Sequence, residues 1–255
     1  MLFNRRLDDD DLLRMRQAGV VVLSAHLDDA CFSIGGLLAA LGGGVLINVF
    51  NRSTYFAKSP EGLQGALPES VVGGYREAED QAFARQVGLH REQLHGCEPG
   101  FFGRRPNDLG GLQEDVLQVK EALMLALKKH VRRNGLKPFL LVPMAIGRHV
   151  NHRAVYEIIV QEHQHLLADY RLCFYEDLPY AHDPVERSRG LRRFRSTPCW
   201  SAWSRSVFVP KVSTKLALVA LYATQLKRKP SWFKFRPAAW APVALHEALW
   251  MAPTE

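Results

Sequence analysis

Val20-Val21-Val22-Leu23-Ser24-Ala25-His26-Leu27-Asp28-Asp29-Ala30-Cys31-Phe32-Ser33-Ile34-Gly35-Gly36-Leu37-Leu38-Ala39-Ala40-Leu41-Gly42-Gly43-Gly44-Val45-Leu46-Ile47-Asn48-Val49-Phe50 is the stretch that decides the fold. Val20 to Ser24 is a compact, mostly β-branched run, Asp29 to Leu41 has helical character, and after three glycines Val45 to Phe50 is apolar again. This is strand, helix, strand. Outward from it, Leu12 to Arg16 reads as a short helix whose N-cap and first-turn charge come from Asp8, Asp9, Asp10 and Asp11. Capping is preferred to metal binding for that run, because consecutive carboxylates do not all point one way. Downstream, Asn51 to Gly74 reads as a long functional loop, and Arg76 to Gly88 as a helix with Gly88 at its C-cap. Leu112 to His130 is a second strong helix, Pro138 to Pro143 a buried strand, Asn151 to Leu166 another helix and Leu172 to Tyr175 a further strand. Strands alternating with helices predict an α/β, Rossmann-like three-layer fold with a mostly parallel sheet and helices on both faces, in one domain over residues 1–255. A basic, Trp-rich segment begins at about residue 187, where only a helix from Ser213 to Leu226 reads clearly.

With 255 residues, 47% apolar and 23% charged, the chain can bury a proper core. Its net charge of +7 suggests a binder of polyanions, but the charge is localised. Arg187 to Arg236 holds thirteen Lys or Arg and no acid, which leaves 20 of the 33 bases against all 26 acids elsewhere. Cys31, Cys97, Cys173 and Cys199 are far apart and read as structural thiols in a reducing compartment. The acidic N-terminal run and the lack of any apolar run near the roughly 20 residues that span a bilayer predict a soluble, cytoplasmic chain.

Chemistry collects at two strand ends. At the first, Ser24-Ala25-His26-Leu27-Asp28-Asp29 puts an imidazole and two carboxylates on a strand-to-helix turn, where an open α/β sheet presents side chains to ligands. Adjacent acids repel, so a cation is expected beside them, although for this turn read alone N-capping of the next helix by Asp28 or Asp29 is the preferred reading. The second, Gly147-Arg148-His149-Val150-Asn151-His152, has the same layout, with two histidines three apart that can face one point. Imidazole nitrogens with a carboxylate oxygen and an open position suit a catalytic zinc site, and both turns belong on one edge of the sheet. His163 and His165 point different ways on a helix, and His90, His95, His130, His182 and His246 receive no role.

These residues resemble the zinc-dependent N-acetylglucosamine de-N-acetylases of the PIG-L/LmbE-like type. Their A-H-P-D-D-E motif is similar to Ala25-His26-Leu27-Asp28-Asp29-Ala30, and their H-x-D-H motif to His149-Val150-Asn151-His152. Further likeness lies in Arg76-Glu77-Ala78-Glu79, in Glu176-Asp177-Leu178-Pro179-Tyr180, and in Lys215 to Gln225 with Tyr222 between. The resemblance covers roughly residues 19 to 226. It implies His26, Asp29 and His152 as ligands of Zn2+, with Fe2+ the other candidate ion, Asp28 as general base, and His149 as electrophilic or acid partner. It implies Arg76, Asp177 and Tyr180 as substrate contacts. The implied reaction frees acetate and an amine from a small acetylated amino-sugar conjugate in bacterial secondary metabolism, with no nucleic acid, no membrane span and room for a homo-oligomer.

Three positions depart from the family pattern: Leu27 for Pro, Ala30 for Glu and Asn151 for Asp. The last bears most on chemistry, since a carboxylate at 151 would orient the His149 imidazole and raise its pKa, whereas Asn lends less support to the cation. A degenerate sugar- or anion-binding protein of the same fold is the alternative to an active hydrolase. The basic segment, with Trp200, Trp203, Trp232, Trp240 and Trp250, reads either as solvated charge and packing aromatics or as a surface for anions and sugar rings. Nucleic-acid binding is the rival from another class, and it needs that segment to form one continuous face.

Overall fold

A computed structural model describes residues 5–63, 67–131, 135–200, 202–227, 229–238 and 244–252; Trp240 and Arg228 lie outside the described residues. The strands are β1 Arg5–Arg6, β2 Val20–Ser24, β3 Gly44–Asn48, β4 Leu89–Gln93, β5 Phe139–Pro143, β6 Arg171–Tyr175, β7 Ser204–Phe208 and β8 Glu247–Met251. They form one sheet in the order β1-β7-β8-β6-β5-β2-β3-β4. Every neighbouring pair is parallel except those made by β8, which runs antiparallel to β6 and β7.

Side chains alternate across the strands, and each face carries a core. Val21, Leu23, Leu140, Val142 and Phe174 pack with helices α4 (Leu112–Lys129), α5 (Val150–Gln161) and α7 (Pro184–Ser196). Val20, Val22, Leu46, Leu141 and Cys173 pack with α1 (Asp9–Ala18), α2 (Asp29–Leu41), α3 (Glu69–Val87) and α8 (Val212–Ala220). This is the expected three-layer arrangement. After β2 the chain builds outward through β3 and β4, then returns to add β5 on the other side of β2. The crevice for ligands in such a sheet opens at that reversal, above the carboxyl ends of β2 and β5.

The N-terminal Asp run caps α1 as expected. Asp8 accepts from the Asp11 backbone N–H at 2.9 Å, and Asp11 accepts from that of Asp8 at 3.2 Å. Elsewhere tertiary contacts move the boundaries. Helix α3 starts at Glu69, well inside the expected loop, because buried Val72 anchors a first turn that Gly73 and Gly74 disfavour by propensity. A methyl group at Gly74 would meet nothing within 4 Å. We therefore expect Gly74→Ala to stabilise the protein by about 0.5–1 kcal/mol in urea denaturation. The expected helix over 151–166 is two, α5 and α6 (His163–Asp169), broken at Glu162. Helix α8 stops at Ala220, since the buried Tyr222 hydroxyl is fixed on the Leu27 carbonyl and on Asp80. Strand β4, Leu-His-Arg-Glu-Gln, is a polar edge strand with no apolar alternation to announce it.

Among the described residues no helix is long and apolar enough to cross a membrane. Cys31 and Cys173 are buried, and all four cysteines are unpaired.

Candidate metal centre and active site

The turn after β2 is held from several directions. Ser24 Oγ donates to the His26 carbonyl at 2.5 Å and accepts from the Ala30 N–H at 3.0 Å. Tyr175 donates to the Leu23 carbonyl, Tyr222 to that of Leu27 and Lys215 to that of Cys31. Lys215 also pairs with Glu247, both fully buried, and Glu247 accepts from the backbone of Gly36 and Leu37. Those donors are freed because α2 departs from helical geometry at Ile34. Asp28 occupies the N-cap position of α2 but its side chain caps nothing, which leaves the carboxylate available.

The turn after β5 is equally constrained. Ala145 adopts a positive φ of 59°, and Arg193 donates to its carbonyl and to that of Met144. Gly147, at φ 98°, takes the ring of Tyr180 so closely that a Cβ would lie 2.8 Å from Cγ. From there the chain enters α5 with His149 at its N-cap.

The two turns meet. His26 Nδ1 and His152 Nε2 each lie 3.1 Å from Asp29 Oδ2. Among the described residues these three side chains form a group with metal-ligating character, one ligand atom from each lying within 4.8 Å of the others. His152 Nε2 is buried and makes no hydrogen bond, although its other nitrogen is bound to Asp177 at 2.8 Å. An imidazole oriented by a carboxylate behind it, with its front nitrogen unsatisfied, is the arrangement of a metal-ligating histidine. Two imidazoles and one carboxylate fit a divalent transition ion with room for further ligands.

The electrostatics agree with a cationic centre. Burial opposes protonation of His152, but Asp29 and Asp177 outweigh it and lift its pKa to about 10. Burial likewise opposes charge on His26, and Asp29 again prevails, raising its pKa. Asp29 is held well below the usual carboxylate range, because the two imidazoles overcome the cost of burial. Asp28 moves the other way: burial and the neighbouring charge of Asp29 raise it against the pull of Arg76. A carboxyl so raised is suited to taking and returning a proton.

The expected cation beside the paired acids is Arg76, 3.2 Å from Asp28. Its other terminal nitrogen binds Glu98 at 2.5 Å, and Glu98 accepts from Ser53 at 2.8 Å. Sequence reading assigned no role to Glu98 or Ser53, which sit in loops. Asp177, expected as a substrate contact, is fully buried with both oxygens committed, one to His152 and one to the Ile146 N–H at 2.8 Å. The structure thus places it behind His152. Tyr180 is half-buried, its ring edge-on to His152 at 5.6 Å.

His149 lies 4.3 Å from His26 between ring centroids. Burial, then the positive charge of His26 and His152, lowers its pKa, and its Nδ1 accepts from the Asn151 N–H at 3.3 Å. It is therefore neutral, with Nε2 carrying the proton. The Asn151 side chain does not support His149 as expected; it contacts His26 and Asp115 instead.

The basic segment is divided: Arg205, Lys215 and Arg236 are buried and Arg187 and Arg193 half-buried, whereas Arg189, Arg192, Arg195, Lys211, Lys227, Lys229 and Lys234 are exposed. Arg187 and Arg205 both bind Glu176, Lys215 binds Glu247, Arg189 binds Glu186, and Arg195 lies over the Trp250 ring at 5.3 Å. Trp200, Trp203 and Trp250 are buried in one aromatic cluster with Phe174 and Phe194. The buried pairs on Glu176 and Glu247, with these rings, hold the C-terminal elements on the sheet.

A curated relative, the 2'-N-acetylparomamine deacetylase of Streptomyces fradiae, is 32% identical over 191 residues, covering 71% of this chain and 65% of that protein. The chain thus spans just under two thirds of that relative's length. Among solved structures, A40926 pseudoaglycone deacetylase superposes with a TM-score of 0.62 at 22% identity, over 92% of this chain and 96% of that one. The zinc-inhibited form of teicoplanin deacetylase gives 0.60 at 19%, over 91% and 96%. These two share the fold. The family model for GlcNAc-PI de-N-acetylases (PIG-L) matches residues 21–162, more than half of the chain and the span that contains both ligand-bearing turns, so the chain belongs to that family.

Proposed function

We propose that the protein is a zinc-dependent N-deacetylase that hydrolyses the acetamide of an amino-sugar conjugate to acetate and the free amine. The observation that carries this reading is the convergence of His26, Asp29 and His152 around the unsatisfied His152 Nε2, with Asp28 and its Arg76 partner alongside. The similarity to the 2'-N-acetylparomamine deacetylase supports the substrate class. His26, Asp29 and His152 hold the ion, for which Zn2+ suits the donor set and Fe2+ is the second choice. When bound, such an ion polarises a carbonyl as a Lewis acid and lowers the pKa of water toward about 7.

The chain's own groups supply the proton traffic. Asp28 takes a proton from the attacking water as its oxygen bonds to the amide carbon. Arg76 holds the carboxylate in place against the repulsion of Asp29. Neutral His149 offers its Nε2–H to the oxygen on which charge develops, and a neutral donor serves there because the site already gathers cations. As the C–N bond breaks, the proton on Asp28 passes to the leaving nitrogen. Tyr180 lines the approach, and Asp177 keeps His152 aimed.

The test is acetate release from a panel of N-acetylated amino sugars by zinc-loaded protein. Turnover of at least one sugar is expected; none on any would leave a sugar- or anion-binding protein. His152→Ala should lower metal content from about one ion per chain to near none, read by elemental analysis. Full metal occupancy in that variant would refute the ligand assignment.

A further inference from the structure

Asp115, in the first turn of α4, is fully buried and lies outside every motif that marks the site. One of its oxygens accepts from Arg104 Nη2 at 2.5 Å, the other from Asn151 Nδ2 at 2.9 Å. The carboxamide oxygen of Asn151 then lies 3.0 Å from His26 Nε2. Hydrogen-bonding capacity settles the direction of this chain. A carboxylate only accepts, so the amide nitrogen of Asn151 must face Asp115 and its oxygen must face His26. That oxygen also only accepts, so His26 Nε2 must carry the hydrogen. The lone pair of neutral His26 is then on Nδ1, the nitrogen 3.1 Å from Asp29 in the ligand cluster.

We infer that Asp115 and Arg104, acting through Asn151, select the His26 tautomer that presents Nδ1 to the metal ion. The inference rests on the reading of His26 as a ligand. Asp115 and Asn151 are positioning residues, and the pair accounts for Asn where the family motif has Asp. With Asp115 behind it, a carboxylate at 151 would set two buried like charges against each other, while a carboxamide donates at one end and accepts at the other.

The decisive measurement is made on the wild-type chain, labelled with 15N-histidine and loaded with 113Cd. Nitrogen–cadmium coupling is expected at His26 Nδ1, with Nε2 protonated. Coupling at Nε2 would overturn the inference while leaving the metal site intact; failure to bind cadmium or zinc at all would overturn the metal reading itself, and the inference with it. A charge swap gives a second readout. In Asp115→Asn the new amide donates to residue 151, so the Asn151 amide turns over and offers its N–H to His26 Nε2, favouring the wrong tautomer. Zinc affinity, by chelator competition, should fall on the order of 10–100-fold. Adding Asn151→Asp restores an acceptor for His26 and should recover most of that loss. Wild-type affinity in the single variant, or a double variant no better than the single, would refute the inference.

Discussion

Asp28→Asn should keep its metal and lose its activity. The substitution removes a proton acceptor while retaining shape, so acetate release should fall by roughly 10²–10⁴-fold, the range that general base catalysis contributes. Metal content should not change, because Asp28 is not one of the three converging ligands. Its carboxylate faces Arg76 at 3.2 Å, whereas that of the next residue, Asp29, lies between the two histidines. Parallel measurement of acetate release and bound zinc separates the two roles. Full activity in the variant would remove Asp28 from the mechanism, and loss of zinc would move it into the ligand set.

Glu176→Gln should destabilise the protein by about 3–5 kcal/mol, the cost of leaving buried charges without their partner. Glu176 follows β6 and is buried, with Arg187 from α7 at 2.6 Å, Arg205 from β7 at 2.7 Å and the indole N–H of Trp250 from β8 at 3.0 Å. One carboxylate thus ties three C-terminal elements to the sheet. Burial alone would raise its pKa, but Arg205 and Arg187 outweigh it and hold the group at about 2, below its ordinary 4.5. A carboxyl depressed in the folded state stabilises fully above its unfolded pKa and loses that contribution as pH falls through the folded one. Wild-type stability should therefore decline between about pH 4.5 and 2 through this group, and the variant should lack that portion. Urea denaturation at neutral and acid pH measures both effects. A difference from wild type under about 1 kcal/mol at neutral pH would mean that relaxation or water compensates the arginines.

The motifs that make up the candidate metal centre were legible because local rules govern them. A β-branched run, a polar turn and an apolar helix announce β2 and α2, and a parallel sheet brings the carboxyl ends of β2 and β5 to one edge. His26, Asp28, Asp29, His149 and His152 follow from that placement. The C-terminal region was not legible, since β7 is a short strand of mixed polarity and β8 enters the sheet against the direction of the others. Arg187, Arg205 and Lys215 cannot be told from the exposed charges around them until Glu176 and Glu247 are seen opposite their side chains.

By itself the sequence determined the α/β alternation and the chemical identity of the candidate ligands and base, because strand and helix periodicity act over a few residues. Only the tertiary structure decided which groups orient them: Asp177 behind His152, Glu98 on Arg76, and Asp115 through Asn151 on His26. The physical reason is that a buried polar group must find a partner of matching donor or acceptor character wherever packing places one, and distance along the chain does not limit that choice.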